Sequence, residues 1–137
     1  MTTANAFLRL LTPAVLAAAC LLHPARADDP PIRPEVLFES EIAGAPNKLM
    51  RALRTTYQPG ASNPKHYHTS YVVFYVLQGS GVWQEEGKPA VTLKPGDSLA
   101  VTPGTIHSHW NASATEPLVF TEFVVVDKGQ RSTVPMR

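Results

Sequence analysis

Apolar and polar residues alternate along much of this chain, and Gly or Pro breaks the alternation every eight to twelve residues. Such a pattern predicts short strands joined by turns, because successive side chains of a strand face opposite sides. Glu35 to Ile42 is read as a short edge strand, followed by a turn over Gly44 to Asn47. Leu49, Leu53 and Tyr57 share one parity of a half-buried strand, which Pro59 and Gly60 end. The stretch Gly60 to Gly79 holds the strongest strand signal, the β-branched and aromatic run Tyr71 to Leu77, with a turn on each side. Shorter strands are expected at Val82–Gln84, Ala90–Leu93 and Ser98–Val101, and another begins at His107 after the Pro103-Gly104 turn. Pro117 precedes Leu118 to Val126, the longest β-prone run of the C-terminal half. No helical period occurs after residue 27. The expected fold class is all-β, a sandwich or a closed barrel.

The first 27 residues have a different pattern. Arg9 and the amino terminus precede an apolar run from Leu10 to Leu22, and Ala25-Arg26-Ala27 has the small-x-small form of a cleavage site. The expected organisation is a signal peptide over 1–27, an extended lead-in and edge strand over 28–43, a β-barrel domain over 44–126 and a polar tail over 127–137. Residues 28–34, DDPPIRP, suit the lead-in because proline favours extended backbone. The mature protein is expected in the periplasm or secreted. The apolar run is broken by Pro13 and is too short to span a bilayer. A competing expectation is a lipid anchor on Cys20, since Leu16 to Cys20 weakly resembles a lipoprotein cleavage box.

A chain of 137 residues has room for one domain, and 12 basic against 11 acidic residues leave it nearly neutral. No basic stripe is present, so nucleic-acid binding is not expected. Cleavage after Ala27 removes the single cysteine. Any metal on the mature chain must then be held by histidine and oxygen groups.

His66 and His68 are two apart, just ahead of the Tyr71–Leu77 run. If both lie on one strand, they face the same side, roughly 6.5 to 7 Å apart along the chain, a workable spacing for two ligands of one metal. The other possibility is two exposed histidines in an Asn-Pro-Lys loop. His107 supplies a third imidazole at the start of a later strand. Three neutral imidazoles brought together make an open site with positions left for water or substrate.

The spacing of these two stretches resembles the paired motifs of the cupin superfamily. Gly60, five residues, His66-x-His68 and a later Gly79 match the first. Gly96, five residues, Thr102-x-Gly104, two residues, His107, three residues and Asn111 match the second. The resemblance covers about Gly44 to Val126 and implies a small cupin β-barrel, or double-stranded jelly roll, with a metal near one mouth. It departs from the family pattern at Thr102, where Pro is usual. It departs again at Val72, where the family has a Glu ligand. His66, His68 and His107 are therefore the ligands carried over, for a divalent transition metal. Iron is preferred, and Mn, Ni, Cu or Zn fit the same ligands.

If His66 and His68 point inward, parity turns Ser70, Val72, Phe74 and Val76 inward too, and Val72 with Phe74 is expected to form a substrate wall. His109 and Asn111 share the inward parity of His107. His109 is then a replacement ligand, an acid/base group beside the metal, or a hydrogen-bonded barrel residue off the metal. Tyr57 is a second candidate for proton handling, although its facing and that of Glu122 are left open. Tyr75, Trp83 and Trp110 are read as packing residues.

What the resemblance implies for function is an exported metal-binding protein, an enzyme on a small organic molecule, with non-haem oxygenase (dioxygenase-like) chemistry ahead of isomerase or lyase chemistry. The alternative is a non-catalytic module that binds or senses a small molecule in the same pocket. A homodimer is expected, since an uncovered edge strand over Glu35–Ile42 invites pairing.

Overall fold

The computed structural model describes residues 30–136. The leader expected over 1–27, with Cys20, lies outside the described residues. Ten strands occupy the described chain, and no helix among these residues is long and apolar enough to cross a membrane. They form two five-stranded antiparallel sheets packed face to face, as expected for a double-stranded jelly roll.

The first sheet has the order β1-β2-β9-β4-β7, from Ile32–Ile42, Ala45–Tyr57, Leu118–Asp127, Val72–Gln78 and Ser98–Val101. The second has the order β10-β3-β8-β5-β6, from Thr133–Pro135, Ser62–His68, His107–Asn111, Gly81–Glu85 and Val91–Leu93. Alternation decides which residues meet between the sheets. Tyr57, Val72, Phe74, Val76, Leu118, Phe120, Val124 and Val126 point inward from the first sheet and are buried together. Trp83, His66, His68, His107 and His109 are buried on the inner side of the second sheet.

Three expectations change. Gly60–Gly79 is not one strand punctuated at its ends but two, β3 and β4, which belong to different sheets. Thr69 to Tyr71 form the corner, where the Thr69 N–H donates to the Ser132 carbonyl at 3.1 Å. The inward parity of Val72, Phe74 and Val76 nevertheless holds, because the chain turns the corner with its inner side still inside. The edge strand at the start is eleven residues long and takes in Pro34, which an edge tolerates because the missing N–H need not be paired. Finally, the polar stretch after Asp127 supplies β10, which pairs with β3 through Thr133↔His68 and Pro135↔His66.

Asn111 ends β8 as a clamp. Its Nδ2 donates to the carbonyls of Tyr57 (3.2 Å), Gln58 (3.3 Å) and Glu116 (2.8 Å), while its Oδ1 accepts from the Ser113 N–H at 3.0 Å. One side chain thereby satisfies carbonyls at the end of β2 and in the two neighbouring loops.

Gly79 and Gly87 both adopt left-handed backbone, with φ of 75° and 76°. A Cβ at Gly79 would lie 2.4 Å from the Pro117 carbonyl oxygen, whereas one at Gly87 would meet nothing within 4 Å. Chemical denaturation should therefore separate the two substitutions: about 1 kcal/mol lost in Gly87→Ala from backbone strain alone, and about 3 kcal/mol or more in Gly79→Ala, where backbone must also move. Equal losses would contradict the close approach of Pro117.

Candidate metal centre

β3 and β8 lie side by side, and their register sets His66 opposite His107 and Asn63 opposite His109. The register shifts by one residue between Asn63 and His66. Pro64 sits in that bulge, where a residue without an N–H costs the ladder nothing. Its freed carbonyl accepts from His66 Nδ1 at 2.7 Å. His107 Nδ1 likewise donates to the Thr105 carbonyl at 2.8 Å, and His68 Nδ1 lies 3.3 Å from the Ser132 carbonyl.

A carbonyl only accepts, so His66 and His107 carry their protons on Nδ1, whereas the Nδ1 of His68 faces both the Ser132 carbonyl and, at 3.4 Å, the Thr133 hydroxyl, which can donate to it. The Nε2 atoms of the Nδ1-protonated rings are then bare lone pairs. The Nε2 atoms of His66, His68 and His107 are buried without a hydrogen-bond partner among the described residues. Backbone carbonyls fixing the Nδ1 tautomer are the usual outer support of a metal-binding imidazole. Such nitrogen donors fit a divalent transition metal.

His109 joins the same cluster. The ring centroids of His68, His107 and His109 lie 5.2, 4.2 and 5.3 Å from that of His66. Potential ligand atoms of His66, His107 and His109 fall within 4.8 Å of one another, a group that can hold a metal ion. That distance criterion and the orphaned Nε2 atoms agree on His66 and His107 and differ on the third ligand.

Trp83 on β5 forms one wall. Its ring stacks on His107 at 4.0 Å and 21°, and lies parallel to His109 at 5.5 Å and 16°. Its packing role is as expected, but what it packs is the cluster itself, because register places it opposite His109. Tyr75, by contrast, is exposed on the outer side of its sheet.

Beside the histidines opens a chamber of about 230 Å³, bounded by His68 and His109 from one sheet and by Leu53, Thr55, Tyr57, Phe74 and Glu122 from the other. Asn63, Ile32, Pro34, Ser132 and Thr133 complete it. Phe74 lines this chamber. Val72 is buried in the core on the same parity but is not among the chamber residues. Tyr57 stacks on His109 at 5.4 Å and 26°. Its phenol is held well above the ordinary value by burial, then by the nearby Glu122 carboxyl, against a hydrogen bond with Asn63 that acts the other way. It is thus a hydrogen-bond donor and not a base at neutral pH.

Burial also keeps the imidazoles neutral. His68 and His107 are lowered to about 4, chiefly by desolvation, and His109 falls well below its usual range for the same reason. The folded state thus favours the neutral rings, so their contribution to stability is full above the unfolded value of 6.5 and is lost as pH falls towards about 4. Thermal unfolding of metal-free protein should show a melting temperature that declines steadily between pH 6.5 and 4, with a shallower decline in His107→Gln. A profile of the same slope in the variant would contradict the burial of that ring as a neutral group.

Residues 53–127 match the family model of the Cupin domain. No curated protein matches the chain. Solved structures do. A cupin-like protein of Thermotoga maritima MSB8 is 28% identical, with a TM-score of 0.57 over 72% of this chain and 76% of that one. An uncharacterised conserved protein with a double-stranded β-helix domain from Klebsiella pneumoniae subsp. pneumoniae MGH 78578 is 20% identical, with a TM-score of 0.62 over 81% and 90%. The DMSP lyase DddQ of Ruegeria pomeroyi DSS-3 is 22% identical, with a TM-score of 0.61 over 75% of this chain and 50% of that one. A family match across more than half of the chain, on a jelly roll that gathers its motif histidines between the sheets, makes this protein a member of the cupin family.

Proposed function

We propose that the protein is a metal-dependent enzyme acting on a small organic molecule held in the chamber between the sheets. The observation that carries the proposal is the trio of buried, unpartnered Nε2 atoms on His66, His68 and His107. Leaving three such atoms without a partner costs roughly 1–3 kcal/mol each, which a structural role does not explain and a metal would offset. His66, His68 and His107 hold the ion in this reading. His109 lies close enough to act as a further ligand or to border the bound substrate.

When bound, the ion supplies Lewis acidity and open positions for substrate. The chain's own residues shape what enters. Phe74 and Leu53 offer apolar contact, while Tyr57, Asn63 and Thr55 offer polar groups for orientation. Within this reading we assign non-haem iron and oxygen chemistry, since three neutral ligands leave room for substrate and dioxygen side by side. The likeness to a DMSP lyase supports a small organic substrate and makes lyase chemistry the next reaction to test. The leader pattern supports work outside the cytoplasm. Roughly half-exposed Val36, Leu37 and Phe38 on the edge strand support a homodimer.

A second reading is a binding module without turnover. Val72, 1% exposed in the apolar core where the family has a ligand Glu, is the observation that favours it.

Elemental mass spectrometry of untagged protein tests the proposal. Near one transition-metal ion per chain is expected, falling to background in the His66→Ala/His107→Ala double variant. His68→Ala should lose more metal than His109→Ala. No metal in native protein after reconstitution would overturn the enzyme reading.

A further inference from the structure

Opposite the imidazoles, on the facing sheet, the chamber holds a carboxyl that no cation among the described residues neutralises. Glu122 lies on the inward parity of β9, between Leu53 of β2 and Phe74 of β4 in register. Its Oε1 accepts one hydrogen bond, from buried Thr55 Oγ1 at 2.8 Å. The chamber lining contains no Lys or Arg. A desolvated carboxyl with a single hydrogen bond and no counter-ion is destabilising, so the packing of the barrel does not account for it.

The groups facing Glu122 narrow what it can do. Tyr57 on β2, His68 on β3 and His109 on β8 are the other titratable residues of the chamber, and β1, β4 and β10 contribute none. The histidines are held neutral and have no proton to give, while the Tyr57 phenol keeps its own. Desolvation raises Glu122 towards neutrality, against the Thr55 hydrogen bond. The residue is half-buried: it lines the chamber, and burial of its carboxyl is the larger influence on it.

We propose that Glu122 is the proton acceptor of the chamber, taking the proton that an acidic O–H of a small organic substrate gives up as that oxygen binds opposite it. The substrate class is thus a small neutral molecule with an ionisable hydroxyl, and the inference rests on the histidine cluster being a metal site. In the transfer the substrate O–H bond breaks, its electron pair stays on the oxygen, and a new O–H bond forms on the Glu122 carboxylate. No oxidant or reductant is required.

Zinc-reconstituted full-length protein, titrated with acetohydroxamic acid at about pH 8, tests this. The probe is largely neutral in solution and chelates metals as its anion. Calorimetry in two buffers of different ionisation enthalpy counts the protons released to solvent. Native protein should release fewer protons per probe bound than Glu122→Gln, with equal zinc content. Equal release from both would overturn the role. Native protein without zinc would overturn it together with the metal-site reading, and the zinc assay would identify that cause.

A second measurement needs no metal. A buried carboxyl raised above its ordinary value of 4.5 contributes stability below that pH and loses it as pH rises through the folded value. The melting temperature of Glu122→Gln should therefore gain on that of native protein as pH climbs above about 4.5. A pH-independent difference would show that the carboxyl is solvated and would also overturn the proposal.

Discussion

Three ring nitrogens buried without partners are the constraint around which this small barrel is arranged. Each belongs to an imidazole whose other nitrogen is tied to a backbone carbonyl, and those carbonyls come from a strand bulge at Pro64, a turn at Thr105 and the C-terminal segment at Ser132. The backbone thus does more than carry the histidines. It sets the tautomer of His66 and His107, turning two residues that could donate or accept into acceptors facing one space, and it offers His68 the same kind of partner at Ser132.

The two sheets divide the work. One carries the whole histidine cluster with Trp83 stacked beside it, and is nearly all imidazole and indole at its inner centre. The other is apolar except for Thr55, Tyr57 and Glu122. Val72 stands where the resemblance to the cupin motif implies a carboxylate. Glu122, on the neighbouring strand of the same sheet, keeps one in the chamber, across from His68 and His109.

Much of this was legible in the chain. Period-two alternation and Gly/Pro punctuation specify an all-β fold, and the spacing shared with the cupin motifs singles out His66, His68 and His107, whose rings the structure brings together. Phe74 was placed inward by parity, and parity survived even though the strand assumed there is two strands. What could not be read is what depends on pairing between distant segments. Nothing in Ser132-Thr133-Val134 distinguishes a strand from a polar tail until His68 is found beside it. The facing of Glu122 depends on register with Leu53 and Phe74, 69 and 48 positions away in the sequence. Trp83 as a wall of the cluster depends in the same way on its register with His109.

The pairing of β10 with β3 also has a consequence in time. His68 is reached early in the chain, but the Ser132 carbonyl beside its Nδ1 lies 64 residues later. That side of the ring is met only when Thr133–Pro135 pairs along β3, so the surroundings of the cluster are completed by the last strand of the described chain to be made.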